Sequence, residues 1–457
     1  MRKTMKAAAA LLAMGWSGHA AAFCGFYVAK AGSSLFNEAS KVAIARSEDR
    51  TVITMANDYQ GDPTEFAIVI PTPVVLQETQ VNVAEPALID HLDAYTAPRL
   101  VEYFDGNPCQ LRMMARRGMV LDSAAPTAAE SVKSRATALG VKIEAEYSVG
   151  EYDIQILSAE QSDGLTTFLT ENGYTLPKGA ESTLSGYLKQ GMKFFVAKVN
   201  LEAHAKRNAT YLRPLQIAFE SKMFMLPIRL GMLNARGEQE LFVFTLTRNG
   251  RVETENYRTV EMPTGMDIPV HVKSEFDDFY RDMFKRQAAN EPGVAFLEYA
   301  WNMSWCDPCA ADPLSRAELR KLGAWWVQPD GGGVRPQPRP IPGQRIMPRP
   351  PSGPVDVYVT RLHLRYSGET HPDDLMFKET NNTSNFQGRY VLRHAWLGKD
   401  QCEAATNYRR QLVDRWEKES QTLANLTGWK IDDIRQKQPR LADVGKPKPW
   451  WEDIWNK

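Results

Sequence analysis

Residues 328–354 set the strongest limit on what this chain can fold into. Gly331-Gly-Gly333 is followed there by a run dense in proline and arginine. Proline lacks an amide N–H and fixes φ, so the run can supply neither sheet ladders nor a helix interior. It reads as a linker or disordered loop that samples extended conformations. A docking strip for an aromatic groove is the alternative, and a spacer is the expectation. The cores of this 457-residue chain must be built outside it. Residues 355–457 must fold back across it to bury their apolar side chains.

The first 22 residues have the three zones of a cleavable signal peptide. Arg2, Lys3 and Lys6 are basic, residues 7–16 are apolar, and Ala20-Ala-Ala22 offers small residues for cleavage. The apolar run is too short for a stable membrane-spanning helix. Cys24 follows closely, but the bulky Phe23 before it argues against lipid attachment. Removing the signal takes away three basic residues from a chain with 55 of each sign, so the balance tips slightly negative. Nucleic-acid partners need concentrated positive charge and are not expected. No later segment is apolar for long enough to cross a bilayer as a helix. The expectation is an exported protein, periplasmic or extracellular.

The mature chain reads as α+β, predominantly antiparallel strands in two lobes with short helices. The first strand-rich lobe is 23–121. Residues 51–56 and 66–70 look like a hairpin or adjacent pair closed by Pro71 and Pro73. Pro86 then opens a helix carrying Ile89, Leu92 and Tyr95. Residues 122–140 form an Ala/Ser-rich linker. The second lobe, 141–327, has short helices around Leu165 and Leu184. Strand-like runs follow at 193–201, 215–219, 223–230 and 241–247, with Asn249-Gly250 as a tight turn. Ser274 and Asp277 read as a capping box for a helix carrying Phe276, Phe279, Tyr280, Met283 and Phe284. Ser315 and Glu318 start another near Arg316. The third segment, 355–457, opens on a strand with Val357, Val359, Leu362 and Leu364. It ends in a long amphipathic helix with Ala405, Tyr408, Leu412, Trp416, Leu423 and Leu426 on one face, stopped by Gly428. Trp450, Trp451 and Trp455 are expected to cover a neighbouring part of the protein.

Several stretches resemble a bacterial family, the domain of unknown function 2330. They are Phe23-Cys-Gly-Phe-Tyr-Val-Ala-Lys30, Asn57-Asp-Tyr59 with Glu65-Phe-Ala67, and Pro98-Arg-Leu-Val-Glu-Tyr-Phe104. Further on come Gly150-Glu-Tyr-Asp-Ile154, Glu171-Asn-Gly-Tyr174, Gly191-Met-Lys-Phe-Phe-Val-Ala-Lys198 and Asn385-Phe-Gln-Gly-Arg-Tyr390. The resemblance implies a bacterial exported protein and brings no catalytic residues with it.

Cys24, Cys109, Cys306, Cys309 and Cys402 are the disulfide candidates, since export favours pairing. Cys24 with Cys109 is the preferred pair, leaving Cys306, Cys309 and Cys402 to share one more bond. Trp305-Cys-Asp-Pro-Cys309 is the sharpest motif, resembling the active site of thioredoxin-like oxidoreductases. There the first thiolate attacks a disulfide and the second resolves it. Asp307 works against this, because its charge raises neighbouring thiol pKa values. A helix starting only near Arg316 leaves both cysteines away from its N-terminus. Zinc held by Cys306, Cys309, Cys402 and His394 is disfavoured by the long separation and by export. Asp373-Asp374 and Glu253/Glu255 read as solvated surface, and His204 and His271 as structural.

The functional expectation is a non-enzymatic envelope protein for binding or assembly, with no catalytic residue, cofactor or metal assigned. Its partner is not identified by the sequence; another envelope protein is the class the compartment offers. The alternative is a periplasmic thiol–disulfide oxidoreductase using Cys306 and Cys309.

Overall fold

The computed structural model describes residues 26–30, 36–60, 66–110, 141–172, 174–205, 212–233, 237–304, 311–329 and 355–439. The fold is α+β with mostly antiparallel sheets. Two large sheets form its centre. The larger runs in the order Arg258–Glu261, Val294–Asn302, Tyr358–Tyr366, Gln239–Thr247, Phe36–Ser47, Arg50–Gln60, Leu215–Glu220, Val81–Val83. Phe386–Gln387 adds a short pairing to Val294–Asn302. The second sheet orders Val141–Val149, Tyr152–Ala159, Lys193–Val199, Phe66–Thr72, Phe26–Lys30 and Tyr174–Thr175.

Strand alternation explains how the two sheets stack. Successive side chains point to opposite faces. Val42 and Ile44 of the larger sheet meet Ile68, Ile70, Ile154 and Ile156 of the smaller one in a shared core. Ala43, Ala45, Phe244 and Leu246 face the other way, against helix Pro86–Thr96 and the segment around Leu319 and Leu322. Ala67, Val69, Phe194 and Val196 likewise face outward, onto helices Ser162–Glu171 and Ala180–Lys189. Both sheets are therefore buried on both faces, which is why 67–70 is an unbroken apolar run.

The expected pairing of 51–56 with 66–70 is replaced. Arg50–Gln60 already has Phe36–Ser47 on one edge and Leu215–Glu220 on the other. Phe66–Thr72 joins the other sheet instead, between Phe26–Lys30 and Lys193–Val199. The same saturation keeps the run after the Asn249-Gly250 turn from pairing back onto the strand before it. Gln239–Thr247 is flanked by Tyr358–Tyr366 and Phe36–Ser47, so Val252–Thr254 pairs with Leu375–Glu379. Gly250 instead makes a close backbone approach: a Cβ there would lie 2.4 Å from the Thr380 carbonyl oxygen.

Residues 223–230 hold only the short strand Met225–Leu226 before helix Arg229–Met232. Strand Lys193–Val199 stops early because Asn200 caps helix Leu201–Ala205, its Oδ1 accepting from the Ala203 N–H at 3.0 Å. Ser274 is not a cap: its hydroxyl donates to the His271 carbonyl, and a 3-10 turn, Val270–Glu275, leads into helix Phe276–Asn290. The Ser315/Glu318 capping box does form, at the start of Arg316–Lys321. The long helix spans Glu403–Thr427 and ends at Gly428, whose φ is +79°. With Phe276–Asn290 and strand Arg389–His394 it encloses a further core of Phe279, Met283, Phe284, Leu392, Leu423 and Leu426.

The segments 23–121, 141–327 and 355–457 interleave: all three contribute strands to the larger sheet. Residues 122–140, 330–354 and Trp450, Trp451 and Trp455 lie outside the described residues.

Candidate functional site

Arg361 and His363 lie two apart on strand Tyr358–Tyr366 and so project from the same face. The neighbouring strand pairs Leu297 with Leu362 and then Tyr299 with Arg361, leaving Glu298 as the extra residue of a β-bulge. A bulge re-aims its side chain. Here it sends the Glu298 carboxylate to both basic groups. Glu298 Oε2 accepts from Arg361 Nε at 2.6 Å, and Oε1 bonds to His363 Nδ1 at 2.6 Å. The Tyr280 hydroxyl, from helix Phe276–Asn290, also donates to Oε1. Arg361 Nη1 reaches the C-terminal end of helix Pro86–Thr96, donating to the Asp93 carbonyl at 3.1 Å, to its carboxylate and to Thr96 Oγ1. A cation at that position is favourable for the helix dipole. Lys41 holds the other Asp93 oxygen at 2.7 Å.

Aromatic rings flank the two basic groups of this network. The His363 ring is stacked between Phe284, with centroids 3.4 Å apart, and Phe242, at 4.0 Å. The Arg361 guanidinium lies over Phe242 and Phe244. Glu298 is fully buried and His363 is 3% exposed.

Burial alone would raise the Glu298 carboxyl, but the His363 and Arg361 charges outweigh it and hold it down at about 2. Burial likewise opposes the imidazolium of His363; the Glu298 charge wins, and the ring is held above its ordinary value. Burial and then the Glu298 carboxylate push the Tyr280 hydroxyl far up. At neutral pH Glu298 is thus ionised and Tyr280 keeps its proton, and the Glu298 charge favours the imidazolium of His363.

A cavity of about 310 Å³ opens over this platform. Phe242, Phe276, Tyr280 and Phe284 supply its aromatic walls, and Arg361 and His363 are part of its lining. This is the small end of the range for small-molecule sites, which combine apolar walls with a few convergent polar groups.

The cysteines are arranged otherwise than expected. Cys109 is bonded to Cys402, with Cα atoms 6.1 Å apart. This replaces the Cys24–Cys109 pairing, and it removes Cys402 both as a partner for Cys306 or Cys309 and as a zinc ligand. His394 is engaged with Glu102 at 2.7 Å. Among the described residues no three His, Cys, Asp or Glu gather as a metal site. Cys24, Cys306 and Cys309 lie outside the described residues.

Asp374 is a further correction, since it is buried rather than solvated. It accepts from the Tyr187 hydroxyl at 2.6 Å, the Ile228 N–H at 2.9 Å and Arg229 Nε at 3.1 Å, tying two helices together. Glu253 is ion-paired to Arg251, and His204 is buried.

Fold and cavity together define an α+β chain with one aromatic-walled, charge-floored pocket as its candidate site; among the described residues no helix is long and apolar enough to cross a membrane. The chain belongs to a family of uncharacterised proteins conserved in bacteria (DUF2330), whose model matches residues 18–378. Asp93, Tyr280, Glu298, Arg361 and His363 all fall inside that span. The similar stretch at 385–390, Cys402 and helix Glu403–Thr427 fall beyond it. No curated protein and no solved structure matches the chain.

Proposed function

We propose that this chain is an exported, non-enzymatic binding protein of the bacterial envelope, with its ligand in the cavity over Arg361 and His363. The observation that carries the proposal is the charge platform. Burying Glu298, Arg361 and His363 together is costly unless every charge is compensated. The bulge at Glu298 and the stacked rings hold that compensation in place beside open space. Such a floor is preorganised for polar recognition.

The same geometry argues for binding over turnover. A general base works best with a pKa near the operating pH and a free lone pair. Glu298 accepts three donors and is held far below neutrality, while Tyr280 is held far above it. These groups keep their protons or their charges rather than exchange them. Export is supported by the zones of residues 1–22. The Cys109–Cys402 bond agrees with it, because disulfides persist in oxidising compartments.

Native mass spectrometry of the full chain against a small-metabolite library tests the site. Compounds should be retained by the wild type and lost in Ala97→Phe, which fills the cavity from the end of helix Pro86–Thr96. Retention undiminished in Ala97→Phe would place binding elsewhere, and turnover of a retained compound would overturn the non-enzymatic reading.

A further inference from the structure

The charges around the cavity discriminate between ligand classes. The lining holds three carboxylates, Asp93, Glu240 and Asp277, and three basic groups, Arg281, Arg361 and His363. Most are already committed. Asp93 is shared by Lys41 and Arg361, and Glu240 meets Arg365 at 3.3 Å. Arg281 is held by Asp278 and Asp282. His363 Nε2 makes no hydrogen bond but is buried, 3.8 Å from Glu240 Oε2, and two groups keep capacity open to the cavity. Asp277 has no ion-pair partner among the described residues. The hydrogen bonds of Arg361 use Nε and Nη1, leaving Nη2 without one. One spare acceptor and one spare cationic donor thus line the same pocket, together with the rings of Phe242, Phe276 and Tyr280.

A ligand with a single charge would satisfy only one of these. It would also leave the other spare group covered without a partner, and an uncompensated charge out of water is costly. A neutral apolar ligand would leave the spare donor of Arg361 covered and unpaired. A zwitterion satisfies both groups and adds no net charge.

Resting on the binding reading above, we infer that the cavity takes a free α-amino acid with an aromatic or large apolar side chain. Its carboxylate is directed to Arg361 Nη2, its ammonium to Asp277, and its side chain to the phenyl walls. The Arg361 end gains from a charge-assisted bond on a guanidinium already fixed by Glu298 and Asp93. The ammonium end sits at the first turn of helix Phe276–Asn290, on an exposed carboxylate.

Isothermal titration calorimetry on the full chain, with its disulfide intact, tests this with three probes sharing one phenyl body. These are L-phenylalanine, 3-phenylpropionate without the ammonium, and 2-phenylethylamine without the carboxylate. L-Phenylalanine should bind about tenfold or more tightly than either analogue, the equivalent of one lost charge contact. Asp277→Asn should weaken L-phenylalanine and 2-phenylethylamine about tenfold and leave 3-phenylpropionate unchanged. Equal affinity of 3-phenylpropionate and L-phenylalanine, an Asp277→Asn variant without effect, or no binding by any probe overturns the amino-acid assignment. Ala97→Phe separates this from the broader reading. If the analogue that binds best is lost in Ala97→Phe, the cavity is a ligand site for another class; if L-phenylalanine binds Ala97→Phe undiminished, the cavity is not the site.

Discussion

Glu298 is the residue on which the site turns, because one carboxylate neutralises two buried cations. Glu298→Gln keeps the shape and removes the charge. It leaves Arg361 and His363 in an apolar setting with only Asp93 and the more distant Glu240, 3.8 Å from His363 Nε2, to offset them. Breaking a buried pair in this way should lower stability by roughly 3 kcal/mol in urea unfolding at pH 6. The pH dependence gives a sharper check. The Glu298 carboxyl is depressed when folded, so its contribution is present above about 4.5 and is lost as pH falls toward about 2. The His363 ring is raised when folded, so its contribution is full below about 6.5 and is lost as pH rises through its elevated value. The stability gap between wild type and Glu298→Gln should therefore be widest between about 4.5 and 6.5 and narrow on both sides. A gap that stays as wide below about 4.5 and above about 6.5 as it is between them would show that the pair does not titrate as a unit. Little of this could be read from the chain itself. Glu298 stands alone in the apolar run 294–300, and Arg361 and His363 sit in another such run. A charge inside an apolar run is the one signal that was there. The pairing depends on a register shift between Leu297 and Tyr299, which has no signature in composition or periodicity.

At the scale of elements, local signals held wherever the local chain decides the outcome. The face of helix Glu403–Thr427, its stop at Gly428 and the capping box at Ser315 each depend on residues within a few turns of one another. The expected pair 51–56 with 66–70 failed because one edge of each strand is taken by a strand far along the chain, Leu215–Glu220 for Arg50–Gln60 and Lys193–Val199 for Phe66–Thr72. The long helix also buries a residue that its apolar pattern does not explain. Glu419 is 2% exposed, and neither carboxylate oxygen makes a hydrogen bond; Arg415 Nε lies 3.4 Å away. Burial pushes this carboxyl up to about 7, against the Arg415 charge. A raised pKa means that the protonated form suits the fold, so stability is full below about 4.5 and declines as pH rises through about 7. Glu419→Gln should remove that decline. It should stabilise the protein by about 2 kcal/mol at pH 8 and by little at pH 4.5, measured by denaturant midpoints at the two pH values. An equal shift at both would mean that Glu419 is ionised in the folded protein throughout.

At the scale of the molecule, the larger sheet binds the chain into one cooperative unit. Its central strands are Phe36–Ser47, Gln239–Thr247 and Tyr358–Tyr366, one from each of the segments 23–121, 141–327 and 355–457. The parallel pairing of Phe36–Ser47 with Gln239–Thr247 and the antiparallel pairing of Gln239–Thr247 with Tyr358–Tyr366 are both long-range. The candidate site repeats the pattern, with Asp93 from the first segment, Tyr280 and Glu298 from the second, and Arg361 and His363 from the third. The Cys109–Cys402 bond joins the first segment to the last across 293 residues. Residues 141–327 look self-sufficient in length and apolar content. Expressed alone, they would expose both edges of Gln239–Thr247 and lose the partners of Val294–Asn302 on the Tyr358–Tyr366 side. Unpaired edges and half-covered apolar faces favour aggregation over folding. The isolated fragment 141–327 should give an undispersed amide NMR spectrum, while the full chain should unfold in one transition followed equally by tryptophan fluorescence and far-UV circular dichroism. A well-dispersed fragment spectrum would show that the strands of 141–327 can complete a core without their neighbours. The cavity would then be an interface between separable units rather than a feature of one fold. Because Arg361 and His363 come from outside that fragment, it should in either case lack the charge platform.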